Sequence, residues 1–182
     1  NFSQDHLDYH KTMKKYFLSK MILFSKLLKK NRIVITDTDN KEFSKLKKIA
    51  NKKRLKVVTI NKKILENNNL KTKLIGSFQL KNLEMSKLAA NFCGLSKNKI
   101  NKSIEKLKSV DGRMDLIKVL PNKSKIFVDF AHTPDALLTA LDSLYRNFKS
   151  QITLVFGCGG ERDKKKEPLW QKLRANIVIK LL

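Results

Sequence analysis

Long apolar runs are absent from this sequence. No stretch of about 18 consecutive apolar residues occurs, so we expect no membrane-spanning helix. The first residues lack the basic segment, apolar core and small-residue cleavage site of a secretory signal peptide. The two cysteines, Cys93 and Cys158, are too few for a disulfide scaffold. These absences predict a protein of the reducing cytoplasm that binds no membrane.

Acidic residues are also scarce. The chain has 16 Asp and Glu against 40 Lys and Arg, which gives a formal net charge of +24. Such a charge is typical of proteins that bind nucleic acid or phosphorylated small molecules, and equally of a solvated, lysine-rich surface. The excess is mostly Lys, accompanied by many Asn, and an AT-rich genome would produce both. Because Arg is rare and basic residues do not alternate with aromatic ones, we expect no nucleic-acid partner.

Strand and helix patterns alternate along the first part of the chain, which predicts an α/β fold with parallel strands. Ser96 is the expected N-cap of the last helix of this part. The polar segment 61–76 predicts surface structure or a weak hairpin. The predicted helices span 11–30, 41–53, 80–95 and 96–110, and the predicted strands span 32–36 and 55–60.

A second strand–helix–strand unit follows "DGRMD", where we place a domain boundary between residues 110 and 111. "KIFVDF" (125–130) and "QITLVFG" (151–157) are its predicted strands. The helix between them, 133–148, has Pro134 in its first turn, where proline is tolerated.

Two loops at the carboxyl ends of these strands carry chemically useful side chains, in the position where open α/β sheets bind ligands. In "VFGCGGERD" the glycines allow close backbone approach to a ligand, and the alternative is a tight turn in which Arg162 pairs with Asp163. In "VDFAHTPDA" the carboxylate of Asp129 suits a ribose hydroxyl, with His132 just beyond it. The alternative there is that Asp129 caps the helix that starts near Pro134.

The opening stretch, "NFSQDHLDYHKTMKKYFLSK", combines His6 with Lys20. Mg²⁺ prefers oxygen ligands, so an imidazole and an amine do not by themselves indicate a metal site.

In chain order, "DHLDYH", "GSFQLKN", "DGRMD", "VDFAHTPDAL" and "VFGCGGERDKKKEP" resemble the motifs of the Mur ligases, and the last two are the most specific. The resemblance runs from residue 1 to about Leu169. It implies an α/β chain in which residues 1–110 are the back half of that family's central ATPase domain, a parallel sheet with helices. Residues 111–182 would then be the start of its Rossmann-like C-terminal domain.

The resemblance is greatest to the tripeptide-forming branch of the family, and it implies an ATP-dependent amide ligase of peptidoglycan precursor synthesis. ATP would phosphorylate the carboxylate of UDP-MurNAc-L-Ala-D-Glu, and the amine of meso-diaminopimelate or L-lysine would attack the acyl phosphate. Mg²⁺ would offset the charge on the phosphates. The "GCGGERD" form is more similar to the branch that uses diaminopimelate. We expect a monomer.

Family residues map onto this chain one by one. Lys20 matches a carbamylated lysine, whose carbamate is an oxygen ligand for Mg²⁺, and His6 matches a metal-binding histidine. Asn82 matches an asparagine that contacts adenine, and Arg113 matches an arginine that reaches the ATP phosphates.

The resemblance also assigns the two loops. Asp129 matches the acid on the ribose side of ATP, with His132 beside it. Arg162 matches the arginine that holds the carboxylate of the incoming amino acid. Two positions depart from the pattern: Gln79 replaces an asparagine at a second adenine contact, and Glu167 replaces a basic residue.

Several family segments have no counterpart in this sequence. The uridine-binding domain, the glycine-rich phosphate loop with its lysine, and the loop that selects the amino acid are not found, so we expect a fragment that is inactive alone. Residues from about 170 to 182 resemble nothing in the family, and we expect them to be out of frame. The nucleotide sequence tests this, since a shifted frame should restore a family-like helix.

Two alternatives remain open from the sequence. One is another member of the Mur ligase superfamily, such as a folylpolyglutamate synthase, although "AHTPDAL" together with "GCGGERD" favours the ligases of peptidoglycan synthesis. The other is a basic α/β module that binds nucleic acid, which steeply salt-dependent DNA binding would indicate.

Overall fold

The computed structural model describes residues 2, 6–61 and 72–156, and the backbone of 178–181. The chain divides into two compact units. The first consists of Asn1–Thr72 and Phe78–Leu107, and the second of Lys73–Ser77 and Lys108–Leu182. Among the described residues, no helix is long and apolar enough to cross a membrane.

The first unit begins with helices α1 (Leu7–His10) and α2 (Met13–Ile22) and a π-helical turn over Leu23–Leu27. Thr12 caps α2, because its Oγ1 accepts a hydrogen bond from the Lys15 N–H at 3.2 Å. The single helix expected over 11–30 is therefore shorter and irregular at its end. The hydroxyl of Ser25 donates to the Met21 carbonyl at 2.8 Å and so competes for a helical acceptor, which is a known cause of local distortion.

The strand–helix–strand unit that the sequence predicts is confirmed. Strand β1 (Ile33–Asp37) pairs in parallel with β2 (Lys56–Ile60), and α3 (Phe43–Lys52) is the crossover between them. The core between sheet and helices consists of the buried side chains Met21, Val34, Leu46, Ala50 and Leu55. Parallel pairing places the carboxyl ends of both strands at one edge, where the Thr38 N–H donates to the Ile60 carbonyl at 3.1 Å.

Two further helices complete the first unit. Helix α4 (Ser77–Phe92) follows Gly76, whose φ of 99° is accessible without strain to glycine. It starts three residues before the predicted Leu80 and includes Ser77, Phe78 and Gln79 in its first turn. Helix α5 (Lys97–Glu105) begins as expected at Ser96, whose Oγ accepts from the Lys99 N–H at 3.4 Å.

The second unit has an antiparallel pair and a parallel pair. Strand β3 (Asp115–Val119), which the sequence analysis does not predict, pairs with β4 (Lys125–Val128). Helix α6 (Pro134–Phe148) buries Leu137 and Leu141. Strand β5 (Thr153–Phe156) pairs in parallel with β6 (Val178–Leu181), so the expected second strand–helix–strand unit gains a further strand.

Candidate functional site

The carboxylate of Asp129 joins two loops of the second unit. Asp129 directly follows β4, and its Oδ2 accepts a hydrogen bond from the Met114 N–H at 2.8 Å. Its Oδ1 accepts from the Ala131 N–H, also at 2.8 Å. The helix cap is Thr133, whose Oγ1 accepts from the Ala136 N–H at 3.3 Å, so the interpretation of Asp129 as the cap of α6 is wrong.

This bridge brings Arg113 next to Phe130. The guanidinium carbon of Arg113 lies 4.8 Å from the centroid of the Phe130 ring, and the Phe130 N–H donates to the Gly112 carbonyl at 2.8 Å. Phe130 is 63% exposed, so its ring is a surface feature and not part of the core. Sequence reasoning did not single out Phe130, because an aromatic residue after a strand is usually assigned to packing.

His132 lies on the same side of this loop as Phe130. Its ring is edge-on to the Phe130 ring at 5.4 Å between centroids. Its Nδ1 is 3.1 Å from the Phe130 carbonyl oxygen, which can only accept, so Nδ1 carries the proton. In the neutral ring Nε2 is then an acceptor. The structure thus gathers Arg113, Asp129 and His132 around one exposed loop.

In the first unit, His6 and Lys20 both lie beside Tyr16. The His6 ring is edge-on to Tyr16 at 5.6 Å between centroids, and the Lys20 Nζ lies 5.0 Å from the Tyr16 centroid. His10 stacks on the same ring at 5.1 Å. Neither Tyr16 nor His10 was singled out from the sequence, where their spacing from Lys20 indicates only a helix.

These residues do not form a metal site by themselves. Within 6–61 and 72–156, no group of three or more His, Cys, Asp or Glu side chains could hold a metal ion. Mg²⁺ usually takes six oxygen ligands, whereas His6 supplies a nitrogen and an unmodified Lys20 supplies a cation. The described residues therefore fit Mg²⁺ only partly.

Asn82, the predicted adenine contact, lies near the start of α4, and so does Gln79, which departs from the asparagine expected at a second contact. A separation of three residues places them on one face of the helix. Asn82 is exposed, and its backbone carbonyl accepts a hydrogen bond from the Ser86 hydroxyl at 2.9 Å.

Between them, Lys81 joins α4 to the end of β1. Its Nζ donates to Asp37 Oδ2 at 2.6 Å and to Asp39 Oδ2 at 2.9 Å. Partial burial lowers the pKa of Lys81, but the hydrogen bonds and charges of the two carboxylates outweigh it and raise the pKa above its usual 10.5. Sequence analysis missed this cluster, because Lys81 is 44 residues from Asp37 and resembles any surface lysine.

Arg162 and the glycine-rich loop over 157–169 lie outside the described residues. The alternative in which Arg162 pairs with Asp163 lies outside them too.

Models of known protein families match both parts of the chain. The family model of the Mur ligase middle domain matches residues 1–77, and that of the Mur ligase glutamate ligase domain matches 112–181. The second match extends past Leu169, where the resemblance was expected to end, so that limit was wrong. Whether residues 170–182 are out of frame stays a prediction for the nucleotide sequence to test.

Curated relatives carry one name. The UDP-N-acetylmuramoyl-L-alanyl-D-glutamate--2,6-diaminopimelate ligase of Rickettsia montanensis is 38% identical over 98% of this chain and 42% of its own length. The ligase of the same name from Buchnera aphidicola subsp. Acyrthosiphon pisum is 34% identical over the same shares. A solved structure of an enzyme of that name has a TM-score of 0.62 and 28% identity, over 98% of this chain and 42% of its own. The chain thus spans about 42% of the length of these relatives.

The bridging role of Asp129 predicts the effect of Asp129→Asn. An amide keeps one acceptor oxygen and turns a donor toward the second N–H, so either Met114 or Ala131 loses its partner. We expect the second unit to lose about 1–3 kcal/mol, the usual cost of an unsatisfied buried group. Hydrogen exchange over 108–156 measures it, with the exposed Asp135→Asn as the control. Equal protection in the two variants would contradict the prediction.

The raised pKa of Lys81 predicts a pH dependence of stability. The fold favours the protonated amine, so its contribution is complete below pH 10.5 and is lost as pH rises through the raised pKa. We expect Lys81→Met to be about 1 kcal/mol less stable than the wild type at neutral pH. That difference should shrink in urea titrations as pH rises through the raised pKa of Lys81, and a difference independent of pH would refute the electrostatic explanation.

Proposed function

Because this chain belongs to the Mur ligase family, matched in both its middle and its C-terminal domain, we propose that it is part of an ATP-dependent ligase of peptidoglycan precursor synthesis. The observation that carries the proposal is the identity of 34–38% to diaminopimelate ligases over 98% of the chain. These relatives act, by name, on UDP-N-acetylmuramoyl-L-alanyl-D-glutamate and 2,6-diaminopimelate, and we propose the same substrates here.

The proposed reaction first converts an unreactive carboxylate into a good electrophile. A carboxylate does not react with an amine, because it is a poor electrophile and its leaving group would be oxide. Transfer of the γ-phosphoryl group of ATP to the glutamate carboxylate gives an acyl phosphate and ADP. The amine of diaminopimelate then attacks the acyl carbon, phosphate leaves, and one proton is released. Catalysis of the first step depends mainly on positioning and on cations near the phosphates.

For the second unit, we propose residues that contact the ribose and the phosphates of ATP. Each oxygen of Asp129 uses one lone pair for a backbone N–H, so a second lone pair can accept from a ribose hydroxyl. His132 is a further proposed contact beside it, and its Nδ1 donates to the Phe130 carbonyl. Arg113 supplies the cation for the phosphates, and its stacking on Phe130 keeps the guanidinium near this loop.

Helix α4 of the first unit holds the base in this proposal. Adenine presents donors and acceptors on one edge, which suits the side-chain amide of Asn82. Gln79 has the same amide on a longer side chain and lies on the same face. Because glutamine is one methylene longer than the asparagine it replaces, its amide would meet the base at a different point.

Mg²⁺ is the proposed metal, with His6 and a carbamylated Lys20 as its ligands from the described residues. When bound, the ion would offset charge on the ATP phosphates. In this proposal the ring of Tyr16 keeps the His6 and Lys20 side chains close to each other, because both lie against it.

Arg162 is the proposed ligand for the carboxylate of the incoming diaminopimelate, because a guanidinium pairs with a carboxylate through two parallel hydrogen bonds. L-lysine is the alternative donor. We further propose that the protein is a cytoplasmic monomer without a nucleic-acid or membrane partner, in keeping with the location of soluble nucleotide-linked precursors.

Nucleotide binding to this chain tests the proposed adenine site. We expect ATP to bind more tightly than GTP in isothermal titration, and Asn82→Ala to weaken ATP binding about tenfold, since a lost specific hydrogen bond costs about 1–2 kcal/mol. The exposed Asn101→Ala on α5 is the matched control, because it lies on another helix of the same unit. Equal affinity for ATP and GTP, unchanged by Asn82→Ala, would refute the site.

Activity can be measured in a hybrid enzyme. We expect the Rickettsia montanensis ligase, with its matching segment replaced by this chain, to form amide from UDP-MurNAc-L-Ala-D-Glu, diaminopimelate and ATP. Arg113→Ala in the hybrid should lower kcat about 100-fold or more by removing the phosphate cation. A folded hybrid that binds ATP and makes no amide would argue against the proposal.

A further inference from the structure

Lys81 connects two elements that are far apart in sequence. Its ammonium group reaches both Asp37, the last residue of β1, and Asp39, in the turn that follows, at 2.6 and 2.9 Å. The Lys81 side chain is 26% exposed and that of Asp37 is 19% exposed, so the first contact is largely shielded from water. We refer to these three residues as the Lys81 tether.

The two carboxylates are themselves held in place. Asp37 Oδ1 accepts from the Asp39 N–H at 2.8 Å, which fixes the turn and leaves Oδ2 for Lys81. The intervening Thr38 donates both its N–H and its hydroxyl to the Ile60 carbonyl, at 3.1 and 3.3 Å. Because Ile60 ends β2, the anchor of the tether is the rigid edge of the parallel sheet and not a loose loop.

The other end of the tether lies among the proposed adenine contacts. Lys81 is adjacent to Asn82 and two residues from Gln79, so it holds the same part of α4 that carries them. A second ion pair on α4 differs from the tether because both of its residues lie in the same helix. Lys87 bonds Glu84 at 2.8 Å, and both residues belong to α4.

We propose that Lys81 is a positioning residue for nucleotide binding. By joining the start of α4 to the carboxyl end of β1, it sets the height and rotation at which Gln79 and Asn82 meet adenine. This inference rests on the proposed function. The role requires a cation that bonds two carboxylates at once, which arginine can replace and an apolar side chain of similar length cannot.

The test compares Lys81→Met, Lys81→Arg and the control Lys87→Met. Lys81→Met should weaken AMP binding about fivefold in NMR titrations, the size expected for a residue that acts through another. Amide exchange over 77–83 should become about fivefold faster in the same variant, because the local opening of the helix start is easier. Lys81→Arg should restore both values, and Lys87→Met, which leaves the nearly buried Glu84 without its cation, should destabilise α4 but keep AMP affinity near wild type.

The possible outcomes test the positioning role and the proposed function separately. Unchanged AMP affinity or unchanged exchange in a folded Lys81→Met variant overturns the positioning role, while the proposed function stands. Failure of the wild type to bind AMP removes the adenine site, and this inference with it. If Lys81→Met does not fold by circular dichroism, Asp39→Asn weakens only the more exposed arm of the tether, and the same two outcomes apply to it.

Discussion

Wherever a strand ends, its backbone N–H groups lose their partners in the sheet and need new acceptors. Two aspartates meet this requirement in the same way in the two units. Asp37 and Asp129 each use Oδ1 to accept the N–H two residues further on, and each uses Oδ2 for a partner distant in sequence. That partner is the Lys81 ammonium in the first unit and the Met114 N–H in the second. The loop that carries Arg113 and His132, and the helix that carries Asn82, are held by these two carboxylates.

The two aspartates that stabilise the strand ends also order the segments that carry the proposed nucleotide contacts. Both carboxylates lie at the carboxyl ends of strands, which is where α/β proteins bind nucleotides. In the second unit the ordered loop carries Arg113 and His132 around Phe130. In the first unit the ordered edge receives the helix that carries Asn82. A high positive charge around such sites also suits polyphosphates, so the lysine-rich surface is compatible with the proposed substrate without a nucleic-acid partner.

Predictions from the sequence were accurate where local patterns decide structure. The parallel β1–α3–β2 unit, the Ser96 cap and helix α6 follow from apolar spacing and capping residues, and all three are present. Errors occurred where contacts that the apolar pattern does not reveal decide the structure, whether those contacts are local or between strands. Strand β3 forms because β4 is available to pair with it, and the helix after Met13 changes geometry at Ser25. The domain boundary at 110 and 111 stays a prediction, as do the roles of the site residues.

What the sequence determined by itself is the family and the identity of the candidate residues, because the motifs around Asp129 and Arg162 are specific strings of adjacent positions. Tertiary structure alone decided how those residues are held. Neither the Lys81 tether nor the Asp129 bridge to Met114 can be read from neighbouring letters, since each joins positions 15 to 44 residues apart. Such contacts exist only once the paired strands, parallel in the first unit and antiparallel in the second, have placed their ends and the adjoining loops within hydrogen-bonding distance.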